Sequence, residues 1–177
     1  MYQGVIMSGF GGQGIVSAGI LLANAGMIED KYVTFFPAYG AEMRGGTANC
    51  SVVVSSEEVS SPVVARPDTV IVMNEPSLHR FESQLKPGGL MLINSSLVAA
   101  KPKREDIEIV FVDANTIAEK IGTLKVANMV MLGAYSKKTG AVNVDSLIKS
   151  LPKVYKKAKE DMLKKNQEAL RKGMEEV

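Results

Sequence analysis

The chain has one cysteine, Cys50, in 177 residues. A single cysteine excludes an intrachain disulfide and any iron–sulfur cluster held by cysteines of this chain alone. There is one histidine, His79, and no sequence partner marks it as part of a catalytic triad. An excess of one charge is also missing. The formal net charge is +2, so charge alone implies no nucleic acid and no acidic partner. No basic segment followed by an apolar run opens the chain, so no signal peptide is expected. The longest apolar-rich runs, such as Val126–Tyr135, are too short to span a bilayer, and no membrane partner is expected. The expectation is a cytoplasmic protein. The rest is ordinary: 46% apolar and 23% charged residues, enough for one domain, 1–177, with a real core.

Strand and helix patterns largely alternate along the chain. Tyr2–Ser8 reads as a buried strand and Ile15–Ile28 as a helix that is apolar nearly all round. Such a helix needs cover on more than one side, which hints at a partner surface. Tyr32–Phe36 and Thr47–Val54 read as strands joined by a glycine-rich loop. Asp68–Asn74 is a near-continuous apolar run, the kind found inside a parallel sheet. Pro76 opens a helix over 75–85, and Leu90–Asn94 and Ile107–Val112 are further strands. Asn115 can cap a short helix that ends at Gly122. Helices follow over Leu124–Lys138, Asp145–Leu151 and Lys153–Lys172, with Pro152 as a stop between the last two. The fold class is therefore α/β, a three-layer α/β/α arrangement around a mostly parallel sheet. No helix pattern lies between Val54 and Asp68, so one strand near Thr47–Val54 can be antiparallel.

"GFGGQG", Gly9–Gly14, follows the first strand and opens the first helix. Glycines let backbone approach a ligand, and a helix start offers free N–H groups with a positive dipole end. The same glycines could serve only a tight turn and close helix–sheet packing. A dinucleotide fold also needs an acid at the end of its second strand, and Phe36, Pro37 and Ala38 stand there instead. Glu29 and Asp30 precede that strand, at the wrong end. No Gly-Lys-Ser/Thr follows the loop, so it is not a Walker A loop. A stand-alone Rossmann-like nucleotide-binding enzyme is left with part of its signature missing.

The second loop, "AYGAEMRGGTANC", sets Arg44 among Tyr39, Glu42, Gly45 and Gly46. Loops that follow strands gather at the carboxyl edge of a doubly wound sheet, so this loop should lie near Gly9–Gly14. Arg44 could read a carboxylate or phosphate there, or pair with Glu42 and hold the turn. Both readings stand on these residues.

"SGFGGQGIVSAGILLA", "PAYGAEMRGGTANCSVVVS", "NMVMLGAY" and the closing "NQEALRKG" resemble the gamma subunit of 2-oxoacid:ferredoxin (acceptor) oxidoreductases, across essentially the whole chain. The resemblance implies a complex that oxidatively decarboxylates a 2-oxoacid to its acyl-CoA. Such a complex uses thiamine diphosphate, Mg2+, iron–sulfur clusters and CoA, and passes electrons to ferredoxin. It implies alpha and beta subunits as partners, often with a small ferredoxin-like subunit. This chain has no Gly-Asp-Gly thiamine signature and one cysteine, so it is expected to bind none of these cofactors alone and to be non-catalytic. Its role would be scaffold and wall of the CoA or substrate channel, or assembly module alone. The expected ligand or subunit-interface loop comprises Gly9, Gly11, Gly12, Gln13, Gly14, Tyr39, Glu42, Arg44, Gly45 and Gly46. Pyruvate and branched-chain oxoacids fit the family, and the look of the second loop leans to 2-oxoglutarate.

Other residues have plainer readings. Cys50 falls on the apolar face of its strand, the place of a buried structural thiol. His79 reads as an ordinary surface or half-buried histidine on its helix. Asp113 and Asn115 close a strand at the site edge, chiefly as caps. Asn128 lies inside an apolar helix and needs a partner, either a neighbouring loop to support or another subunit. The tail carries opposite charges at i,i+4 spacing from Lys156–Glu160 to Glu168–Lys172, a solvated face that speaks against nucleic acid.

Overall fold

The computed structural model describes residues 1–39 and 46–177. Its core is a six-stranded sheet in the order β2-β3-β1-β4-β5-β6. The strands are β1 (Tyr2–Phe10), β2 (Tyr32–Tyr39), β3 (Thr47–Ser55), β4 (Thr69–Val72), β5 (Leu90–Asn94) and β6 (Glu108–Val112). β1, β4, β5 and β6 are parallel, whereas β3 runs antiparallel to both β1 and β2. The sheet is thus mixed. The chemistry of the connections sets this: parallel neighbours need a long crossover, and residues 40–46 are too few for one, so β2 and β3 form a hairpin.

The two faces are covered unequally. Val5, Met7, Cys50, Val52, Ile71 and Leu92 point to the face that carries α1 (Ile15–Ile28), α3 (Ala114–Ile121), α4 (Ala127–Thr139), α5 (Val144–Val154) and α6 (Glu160–Glu175). Ile6, Val53, Val70, Val72, Met91 and Ile93 point to the other face. That face is covered by α2 (Glu75–Phe81), its 3-10 extension Glu82–Gln84, and apolar residues of the segments after β3 and β5. Asn74 caps α2 by accepting from Ser77 N at 3.0 Å, and Pro76 sits in its first turn.

The apolar α1 is covered by its own chain. α5 packs along its outer side, with Leu147 and Leu151 fully buried. A polar clasp closes the end of this pair. Lys31 Nζ donates at 2.7 Å both to Glu29 Oε2 and to Ala141 O, and Asn143 N donates to Glu29 Oε1 at 2.6 Å. Burial works against the Glu29 charge, but Lys31, the Asn143 N–H and Ser146 outweigh it and hold the carboxyl below its usual range. Much of the apolarity of α1 therefore reflects a helix packed between sheet and helix, while Met27 stays exposed.

α4 is buried from Ala127 through Ser136, between the sheet and α6. Gly133 and Gly173 face each other's helices across this seam. A Cβ on Gly133 would strike the Leu170 backbone, and one on Gly173 the Val130 backbone. Two small residues thus let the helix backbones touch.

The C-terminal region corrects the expectation of one helix over Lys153–Lys172. α5 runs through Pro152 to Val154, the chain breaks over 155–159, and α6 begins at Glu160. Pro152 lies near the C-terminal end of α5, where its missing N–H forgoes a single helical bond. Half-buried Tyr155 then turns in against the core, and Lys159 takes an extended conformation that starts α6. Lys156–Glu160 and Lys157–Asp161 fall across this break. Of the expected lattice, Glu160–Lys164 at 2.8 Å and Asp161–Lys165 at 3.0 Å form, while Lys172 pairs with Glu175 at 2.8 Å. Among the described residues no helix is long and apolar enough to cross a membrane.

Candidate functional site

The site is assembled at the carboxyl edge of β1 and β4. β1 is followed by α1 on one face, and the neighbouring β4 by α2 on the other. This divergence opens a crevice between the two strand ends. The glycine turn is folded onto it by its own side chain, Gln13. Phe10 N donates to Gln13 Oε1 at 2.6 Å, and Gln13 Nε2 donates to Met73 O at 3.2 Å. The turn is thereby tied to the end of β4. Gly12 and Gly14 have φ of +94° and +73°, the left-handed region that L side chains avoid.

The described ends of the second loop reach the first. Gly11 N donates to Gly46 O at 3.2 Å, where Phe10 of β1 stands opposite Thr47 of β3. Tyr39 ends β2 opposite Ala48. Glu42, Arg44 and Gly45 lie outside the described residues. Gly9 is the penultimate residue of β1, packed beside Gln13 and Met73. Asn128 reaches across from α4 and donates from Nδ2 to Gly14 O at 2.9 Å, so it supports a loop of its own chain.

Beside the turn lies a cleft of about 260 Å³, lined by Gly12, Gln13, Met73, Asn115, Leu124 and Lys125 among others. α1 starts here with no side-chain cap and no acid in its first turn, so its positive end is not neutralised within the helix. Lys125 adds a cation and forms no ion pair among the described residues. An adjacent helix start and a lysine together favour an anionic group.

Asp113, not Asn115, takes the N-cap position of α3. Asn115 sits one residue inside the helix. Its Oδ1 accepts from Asn94 Nδ2 at 2.9 Å, and its N–H donates to Ser96 Oγ at 3.0 Å. Ser96 Oγ in turn donates to Asp113 Oδ1. That hydroxyl, helped by Thr116 and opposed by slight desolvation, holds the Asp113 carboxyl below its usual range. Asn115 is thus spent on joining the ends of β5 and β6 rather than on capping. Lys125, Leu124 and Met73 were not singled out from the sequence. The signal for Lys125 was a lone cation entering the apolar run "VANMVMLGA" at the site edge.

The remaining reactive side chains lie elsewhere. Cys50 is fully buried, donates to Ile15 O at 3.5 Å, and has its thiol pushed up to about 12 by burial. It has the character of a structural thiol. His79 is on the surface, 3.9 Å from Glu75. Among the described residues no group of three or more His, Cys, Asp or Glu side chains could hold a metal ion. The topology also departs from a dinucleotide fold. The strand after α1 lies at the sheet edge, and antiparallel β3 separates it from β1.

The glycine turn and its cleft thus sit at the carboxyl edge of an α/β chain built on one mixed sheet. The chain belongs to the pyruvate ferredoxin/flavodoxin oxidoreductase family, whose model matches residues 4–176. It is 34% identical over 178 residues to the 2-oxoglutarate synthase subunit KorC of Methanocaldococcus jannaschii, covering 99% of this chain and 94% of that one. It is 43% identical over 129 residues to the ketoisovalerate oxidoreductase subunit VorA of Methanothermobacter marburgensis. That match takes in 73% of this chain but only 27% of the relative's length. A solved 2-oxoglutarate:ferredoxin oxidoreductase from Magnetococcus marinus, with 2-oxoglutarate, coenzyme A and succinyl-CoA bound, superimposes with a TM-score of 0.88 at 26% identity. The match covers 97% of this chain and 30% of that one.

Proposed function

We propose that this chain is the gamma-type subunit of a heteromeric complex that oxidatively decarboxylates a 2-oxoacid to its acyl-CoA and passes electrons to ferredoxin. The observation that carries this reading is the reach of the family match, residues 4–176. In this reading the alpha and beta subunits hold thiamine diphosphate with Mg2+, and iron–sulfur clusters lie on them or on a small ferredoxin-like subunit. Those groups supply the carbon–carbon cleavage and the electron transfer. The setting is cytoplasmic and the preferred 2-oxoacid is 2-oxoglutarate.

This chain's own part is to form a wall of the channel used by CoA. The cleft is lined by Gly12 and Gln13 of the turn that leads into α1, and Lys125 brings a cation to an anionic group of that ligand. The expected loop residues Tyr39, Glu42, Arg44, Gly45 and Gly46 belong to the same reading, with Arg44 as the residue that would contact an anion. The family likeness to a structure with coenzyme A bound supports CoA as the ligand.

The test is an anaerobic pull-down of the tagged chain from its native host, followed by dye reduction with a panel of 2-oxoacids. Co-purified thiamine and iron–sulfur chains with CoA-dependent activity are the expected result, with 2-oxoglutarate the best substrate. Arg44→Ala in that complex should raise KM for CoA, and unchanged CoA and 2-oxoacid kinetics would remove Arg44 from the site. A folded chain recovered alone and inactive would overturn the subunit reading.

A further inference from the structure

The carbonyl of Gly14 is held from two directions. Ala18 N donates to it at 3.0 Å as the first helical bond of α1, and Asn128 Nδ2 donates at 2.9 Å from α4. A peptide unit is planar and trans, so fixing this carbonyl also fixes the Ile15 N–H, which points the opposite way. That N–H is among the donors that a helix start leaves without a helical partner. In most helices an N-cap side chain orders this first turn. Here the N-cap is Gly14, which has no side chain to do so. Asn128 orders the same peptide from behind.

The cost of placing Asn128 there indicates a purpose. It is 6% exposed and lies in an otherwise apolar, buried stretch of α4. A carboxamide in such a place costs stability unless it is bonded. An apolar residue would suit the helix equally well and would leave the glycine turn unsupported. Its base is rigid, because the glycine seam locks α4 against α6. Tyr155 lies beside Asn128 and Ser17, so the break between α5 and α6 closes over the same point.

We propose that Asn128 is a positioning residue for the glycine turn: by fixing the Gly14 peptide it holds Gly12 and Gln13, which line the cleft, in place for the anionic group bound there. The proposal rests on the reading of the cleft given above. It predicts that the carboxamide matters for ligand affinity and not for the chemistry carried by the partner subunits.

Two variants test it in the assembled complex. Asn128→Asp keeps the shape but turns the donor facing Gly14 O into an acceptor, and Asn128→Ser removes the reach without adding charge. Both should raise KM for CoA by about tenfold, the worth of one well-placed hydrogen bond, with kcat and the 2-oxoacid KM little changed. Hydrogen exchange over Gly14–Val16 in the full-length chain should quicken by about the same factor, while β1 and β4 stay protected. Unchanged CoA kinetics together with unchanged exchange would overturn the proposal. So would a loss that moved kcat, both KM values and exchange throughout the sheet together, since that is the mark of general unfolding. If the wild-type complex shows no CoA-dependent activity, the functional reading falls. Exchange over Gly14–Val16 then still decides whether Asn128 sets the turn.

Discussion

Gly12 and Gly14 share a left-handed backbone but not a neighbourhood. A Cβ on Gly12 would meet nothing within 4 Å, whereas one on Gly14 would strike the Asn128 carboxamide. Gly12→Ala should therefore cost the conformational penalty alone, about 1 to 2 kcal/mol. Gly14→Ala adds a clash with a side chain fixed on a buried helix, and should cost about 3 kcal/mol or more. Urea unfolding of the two variants checks this, and equal losses would mean that Asn128 can retreat. At this scale the sequence carried half the information. The glycines announced a turn by their spacing, but the residue that makes Gly14 indispensable lies 114 positions away. The same limit hid Lys125, whose place in the cleft follows from how α4 crosses the sheet. Asn128 itself was legible as a polar residue in need of a partner.

Helices are joined here by absence of side chains as much as by their presence. The α4–α6 seam brings backbone against backbone at Gly133 and Gly173, and neither helix can withdraw without uncovering buried residues such as Leu132 or Leu170. Gly173→Ala should cost about 3 kcal/mol or more by overpacking, although alanine is the better helix former. Gly140→Ala, at a C-cap with open space beside it and φ +61°, is the control and should cost about 1 kcal/mol. Denaturant midpoints for both variants, with unchanged slopes, decide the matter. A neutral Gly173→Ala would show that the seam yields. Pattern found most strands and helices, because β4 and β5 read as short buried runs and the Pro87–Gly89 punctuation fell between elements. It failed where a tertiary contact overrode local signals. Pro152 signals a stop in the sequence, yet α5 passes through it, and the break comes at half-buried Tyr155. The apolar face of α1 belonged to α5, a contact between segments more than a hundred residues apart that periodicity in one window does not reveal.

The two halves of the sheet meet under α1, and Cys50 marks the junction. It stands on antiparallel β3 between Met7 of β1 and Pro37 of β2, and its thiol reaches Ile15 O at the start of α1. Exposing it requires α1 to leave the sheet, and α1 is also pinned by α5 and by the Glu29 clasp. As the one thiol in the chain, it reports opening of the whole α1–sheet contact. Native protein should therefore resist a thiol reagent, and the single equivalent should label at a rate set by unfolding. Its titration gives a second, independent reading. Burial raises the thiol from its ordinary 9.0 to about 12, so above pH 9.0 the unfolded chain loses this proton while the folded chain keeps it. Stability must then fall as pH rises between those values, by about 1.4 kcal/mol per pH unit from this group. Cys50→Ala should lower stability at neutral pH by leaving a small void, yet flatten this alkaline limb relative to wild type. Rapid labelling of the native chain, or identical alkaline slopes in the two proteins, would mean that α1 does not seal the junction it covers.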